Sequence, residues 1–191
     1  MKPVLVVYAT RQGHTRTIAE HVAATLRARG DEVDVIDAAE PPAGFYASRY
    51  QGAVLAASLH RGHYEHEMLE FVRTHREALE RIPTAFLSVS LTEAGVENRT
   101  APFDRRAQAA MDVKRTVDAF CAACDFHPSR VWPVAGALLY TQYGVLSRLV
   151  LRFIAGRAGG DTDTSHDHDY TDWKALDRFV ASMAREIETG P

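Results

Sequence analysis

The chain has 191 residues, 46% of them hydrophobic and 25% charged, which is enough for one ordinary globular domain with a full core. Its 22 basic and 25 acidic residues leave a formal net charge of −3, which argues against both a basic nucleic-acid binder and a strongly acidic electron carrier. Two cysteines are too few for a disulfide scaffold, no apolar run reaches the roughly 18 residues of a membrane span, and the short apolar start does not read as a signal peptide, so a reducing cytoplasm is expected.

Residues 2–9 form a continuous, valine-rich apolar run, the pattern of a strand buried on both faces. Ile18, Val22 and Leu26 recur at helical spacing over 15–29, and Gly30 follows as the helix-ending glycine. A second short strand at 33–36 precedes an irregular connection at 40–49, which holds Pro41, Pro42 and Gly44. A third strand at 52–57 runs into a polar loop at 58–64. Residues 64–79 then read as a helix that can bury Leu69, Phe71, Val72 and Leu79. A fourth strand at 84–90 leads to a polar loop at 91–104 containing Gly95 and Pro102.

Val113, Val117, Phe120, Cys121 and Cys124 share one stripe of a helix over 105–124. Strand five is read at 131–139, where Pro133 points to a sheet edge. A helical segment at 143–157 is closed by Gly159 and Gly160, and 161–170 is polar and acidic. Trp173, Leu176, Phe179, Val180, Met183 and Ile187 mark a last helix, with Thr171 or Asp172 as its cap.

No repeat or linker interrupts the chain, so residues 1–191 read as a single domain with a helical insertion over about 140–170 before the last helix. The alternation of strands and helices predicts an α/β fold, a three-layer sandwich around a five-stranded parallel sheet. Its expected strand order is the flavodoxin-like 2-1-3-4-5, in which ligands sit outside the carboxyl ends of the strands.

The first strand–helix turn, Thr10, Arg11, Gln12, Gly13, His14 and Thr15, has one glycine. It lacks both the G-x-G-x-x-G of dinucleotide folds and the G-K-[ST] of nucleoside-triphosphate loops. Hydroxyls stand at both ends with backbone N–H groups between them, a set that can wrap a terminal phosphate monoester such as that of FMN. A plain strand–helix turn with a threonine cap fits the local pattern equally well.

This loop resembles the T/S-x-T-G-x-T phosphate loop of flavodoxins, with Arg11, Gln12 and His14 as departures. "YATRQGHT", "AASLHRGHYEHEMLEF", "PTAFLSVSL", "VAGALLY" and "GGDTDTSHDHDYTDW" together resemble the bacterial menaquinone-dependent protoporphyrinogen oxidase family, a branch of the long-chain flavodoxins, over nearly the whole chain. The resemblance implies noncovalent FMN at three loops. Thr10, Arg11, Gln12, Gly13, His14 and Thr15 would hold the phosphate. Ser58, Leu59, His60, Arg61 and Gly62 would lie beside the isoalloxazine, and Ser88, Val89, Ser90 and Leu91 would form the third loop. Tyr64 is the nearest aromatic to stack on the flavin ring.

The resemblance further implies oxidation of protoporphyrinogen IX to protoporphyrin IX in haem biosynthesis, with menaquinone as acceptor. It identifies no general base; His60 and His63 are the nearest titratable side chains by loop position. The non-acidic stretch "LHRGHYEH" suits a substrate bearing carboxylates. Residues 143–157 carry a wide apolar arc with Arg148 and Arg152 opposite. They read either as a helix on the core or as a lid or membrane-surface helix, giving a cytoplasmic protein with peripheral contact at the inner face of the membrane. Self-association stays open.

Other constellations carry less. Cys121 and Cys124 form a C-x-x-C near the end of a predicted helix, continuing its apolar stripe, and read as core rather than as a redox pair. His60, His63 and His66, and the group His166, Asp167, His168 and Asp169, read as adventitious rather than designed metal ligands. An electron-transfer flavodoxin, a flavodoxin-fold NAD(P)H:quinone reductase and a module that has lost its flavin remain as alternatives.

Overall fold

The computed structural model describes residues 2–97, 102–138 and 168–190. Strand β1 (Val4–Ala9) is buried along its whole length, as its continuous apolar run requires. Helix α1 (His14–Ala28) ends at Gly30, whose φ of 100° is the left-handed conformation glycine adopts without strain. Strand β2 (Val33–Asp37) follows. A single turn of 3-10 helix (Ala47–Arg49) then interrupts the connection read from sequence as irregular.

Strand β3 (Gly52–His60) is longer than expected, and with β4 (His63–Tyr64) it forms an antiparallel hairpin where a polar loop was predicted. Arg61 and Gly62 make its two-residue turn, both at positive φ (51° and 85°), the backbone of a type I′ turn. Helix α2 (His66–Leu79) therefore starts two residues later than the pattern suggested, and Tyr64 belongs to β4 rather than to the helix. Strand β5 (Thr84–Ser90) matches its prediction. The segment after it, read as a loop, opens with helix α3 (Leu91–Glu97), where the Glu93 N–H donates to Ser90 Oγ at 3.2 Å.

Helix α4 (Phe103–Cys124) and strand β6 (Arg130–Ala135) come next, and the predicted fifth strand breaks at Gly136 before the short β7 (Ala137–Leu138). β7 pairs antiparallel with β8 (His168–Asp169), and α5 (Trp173–Thr189) closes the chain. Asp172 caps α5, its carboxylate accepting from the Ala175 N–H at 2.8 Å. The helix predicted at 143–157 lies outside the described residues.

The parallel strands run in the order β2-β1-β3-β5-β6, the predicted order once the extra hairpin strand is set aside; β4 joins at β3 and makes the sheet six-stranded. β6 is the edge strand that Pro133 foretold. Alternation along β1 feeds both layers. Val4, Val6 and Tyr8 meet Ile18, Val22 and Leu26 of α1 and Leu176, Phe179, Val180 and Met183 of α5. Leu5, Val7 and Ala9 face the other way, toward Met68, Phe71 and Val72 of α2 and Val117, Phe120 and Cys124 of α4. No helix among the described residues is long and apolar enough to cross a membrane.

Candidate functional site

β1, β3 and β5 are adjacent parallel strands, so their carboxyl ends bring residues 10–15, 58–62 and 90–91 to one end of the sheet. The chain leaves β1 toward β2 on one side and returns as β3 on the other, so this end lies at the reversal of strand order where open α/β sheets bind ligands.

The turn after β1 is shaped by Gly13, at φ 88°, which precedes α1. Thr10 Oγ1 accepts from the Gly13 N–H at 3.0 Å and closes the turn. No side chain caps α1 and its first turn holds no acid, so the amides of that turn point outward without an acceptor in the helix. Thr15 is only 1% exposed, and its hydroxyl has no hydrogen-bond partner among the described residues. Free amides, the Thr15 hydroxyl and a glycine that leaves the backbone bare suit the three oxygens of a phosphate monoester. Gln12 is half-buried in the same turn.

Arg11 and His14 turn to protein partners instead. Arg11 Nη2 donates to Glu65 Oε2 at 3.1 Å. His14 Nε2 lies 2.9 Å from Thr171 Oγ1, which itself donates to the Ala135 carbonyl at 2.8 Å, so the imidazole is the donor to Thr171. Burial pushes the His14 pKa down, and Asp169, 3.6 Å away, pulls it partly back. The phosphate-type turn is thereby joined to the segment that leads into α5.

In the second loop, Ser58 Oγ donates to Glu65 Oε1 at 3.3 Å. Leu59 and His60 pair across the hairpin with Tyr64 and His63, and Arg61 and Gly62 are exposed at its tip. Tyr64 is not presented for stacking. Its ring packs edge-on against Phe86 and Phe120, and its hydroxyl meets Ser88 Oγ at 2.7 Å. In the third loop, Ser88 and Val89 are buried within β5 and only Ser90 and Leu91 reach the strand end, where Ser90 caps α3 and its carbonyl accepts from the Gly136 N–H.

Sequence reading missed Glu65. It is 7% exposed and bonded through both carboxylate oxygens to the first and second loops, yet by sequence it is one charge among many in "HYEHE". No local signal marks it, because its cationic partner lies 54 residues away. The cysteines behave as the core reading holds: burial pushes the Cys124 thiol up to about 11, and both sit at the carboxyl end of α4, where the helix dipole opposes a thiolate. Among the described residues, no three His, Cys, Asp or Glu side chains converge as a metal site.

The model of the flavodoxin domain family matches residues 5–165. The chain is 34% identical over 185 residues to protoporphyrinogen IX dehydrogenase [quinone] of Escherichia coli (strain K12), covering 96% of this chain and 93% of that protein. It is 31% identical over 184 residues to the protein of the same name from Leishmania major, covering 94% of this chain and 74% of that one. Oxidised flavodoxin 1 of Bacillus cereus superimposes with a TM-score of 0.51 at 16% identity, covering 96% of this chain and 98% of that chain, a likeness of fold.

Proposed function

This chain belongs to the flavodoxin domain family, and we propose from that membership that it is an FMN-dependent dehydrogenase that oxidises protoporphyrinogen IX and passes the electrons to a quinone. The observation that carries the flavin half is the uncapped start of α1, with its free amides and the unpartnered Thr15 hydroxyl at the carboxyl end of β1. The substrate half rests on relatives of that name, matched over nearly the full length of this chain. Menaquinone as the acceptor and a place in haem formation are the finer parts of the same reading.

Thr10, Gly13, Thr15 and the first amides of α1 would hold the phosphate, and the hairpin of β3 and β4 together with Ser90 and Leu91 would flank the ring system. When bound, FMN supplies a two-electron acceptor for the substrate and a donor to the quinone. The protein's part is to orient and to handle charge. His60 and His63 stand opposite each other at the hairpin rim, where an imidazole nitrogen can take a proton that leaves the substrate. Arg61, exposed at the tip between them, offers a guanidinium to a propionate.

Anaerobic stopped-flow absorbance of FMN-loaded protein mixed with protoporphyrinogen IX, then with a menaquinone analogue, tests the whole reading. Rapid bleaching of the flavin band, reversed by the quinone as porphyrin appears, is expected. Bound flavin that the porphyrinogen leaves oxidised would move the protein to a carrier or to a reductase of another substrate.

A further inference from the structure

Glu65 has an unusual position for an acid: nearly buried, at the start of α2, with one cation and one hydroxyl as its partners. Arg11 belongs to the first loop and Ser58 to the second, so the carboxylate ties the two together. The neighbouring Tyr64 hydroxyl ties the same hairpin to Ser88 of β5. Residues 64 and 65 thus join the first two loops to each other and brace the hairpin on β5, two residues short of its end.

We propose that Glu65 is a positioning residue for the flavin and that Arg11 serves as its strut rather than as a ligand of the phosphate. The inference rests on the flavin reading above. Arg11 is 58% exposed while its partner is 7% exposed, so the pair is held from the acid's side. Drawing the guanidinium away to a phosphate would leave a nearly buried carboxylate without its cation, and such an uncompensated charge is strongly unfavourable. The phosphate keeps an adequate set of neutral donors without Arg11, in the α1 amides and the Thr15 hydroxyl. The Arg11–Glu65 pair then fixes the spacing between the phosphate end and the ring end of the site, whichever flavin occupies it.

Riboflavin, which has the ring system and no phosphate, separates the strut from a ligand. Apoprotein of the wild type, Glu65→Gln, Arg11→Met and the double variant is titrated with FMN and with riboflavin by fluorescence quenching at two ionic strengths. Each single variant is expected to weaken both flavins by the same factor, about tenfold, with the double variant no weaker than the worse single. The visible circular dichroism of the bound ring should change in Glu65→Gln, which a loss of overall stability alone does not produce. Arg11→Lys should restore part of the affinity. Should Glu65→Gln fold poorly, Ser58→Ala breaks the tie without touching the charge, and it is expected to weaken both flavins about two- to threefold.

Selective loss of FMN in Arg11→Met, with riboflavin unaffected and a flatter salt dependence, would overturn the strut and make Arg11 a phosphate ligand. Unchanged binding of both flavins in Glu65→Gln would overturn the role of Glu65. Wild-type protein that binds neither flavin overturns the flavin reading itself, an outcome separate from both.

Discussion

His14 shows how much one side chain at the first turn of α1 must reconcile. Its ring is mostly buried, donates to Thr171, lies near Asp169 and meets the Trp173 ring edge-on at 6.2 Å between centroids. Burial lowers its pKa from the ordinary 6.5, against the opposing pull of Asp169. His75 on α2, packed against Phe45 and Phe71, is lowered by burial as well. For such a group the unfolded chain binds the proton more readily than the fold does. Stability is therefore complete above 6.5 and falls as pH drops below it toward the lowered folded values. Urea unfolding midpoints of the apoprotein should accordingly decline from neutral pH downward, and the decline should be shallower in His14→Gln, which keeps a donor for Thr171 and cannot titrate. A midpoint profile identical in the two proteins would show that the His14 contact contributes nothing to acid sensitivity.

At the scale of elements, β3 meets α5 closely at one glycine. A Cβ built on Gly52 would stand 2.5 Å from both Cγ1 and Cδ1 of Ile187, so this glycine exists for packing and not for its backbone angles. Gly52→Ala should destabilise the apoprotein by about 1–2 kcal/mol by overpacking. In an Ile187→Ala background the same change should be neutral or mildly favourable, since alanine carries about 0.5–1 kcal/mol less entropic cost than glycine within a strand. A double-mutant cycle in denaturant that gives no coupling would refute the contact. The elements that carry such packing were legible in the sequence because their burial repeats at a fixed period. β1 alternates between two layers, and α5 returns an apolar residue every three or four positions. What escaped has no such period. The β3–β4 hairpin is polar, its second strand is two residues long, and its turn places Arg61 where glycine or asparagine would have advertised positive φ. Helix α3 is short, contains Gly95 and depends on Ser90 for its start. Glu65 reads as solvated until a partner 54 residues earlier in the chain is brought beside it. At the site, the glycine turn before α1 was readable from its sequence, whereas the inward turn of Tyr64 and the engagement of Arg11 and His14 with protein partners arise only from tertiary contacts.

For the molecule as a whole, the question is whether the three strand ends are ready for a ligand before it arrives. Each is held by a bond that needs no cofactor: Thr10 to Gly13 within the first, Arg11 and Ser58 to Glu65 between the first and second, and Ser90 to the Glu93 N–H at the third, with Tyr64 bracing the hairpin on Ser88 inside β5. Both faces of the sheet beneath are covered by helices, so the end of the sheet is set by the core and not by the loops alone. A ligand that binds only the folded state raises the unfolding free energy by mass action. FMN at 100 times its Kd should therefore add about 2.7 kcal/mol, and each further tenfold excess about 1.4 kcal/mol. Because the described loops are already tied, binding should order little additional surface, and the urea m value should stay the same with and without FMN. Equilibrium urea titrations across a series of FMN concentrations measure both quantities. An m value that rises with FMN would mean that the site is assembled by its ligand, and the ties among Arg11, Ser58 and Glu65 would then be a product of binding rather than its preparation.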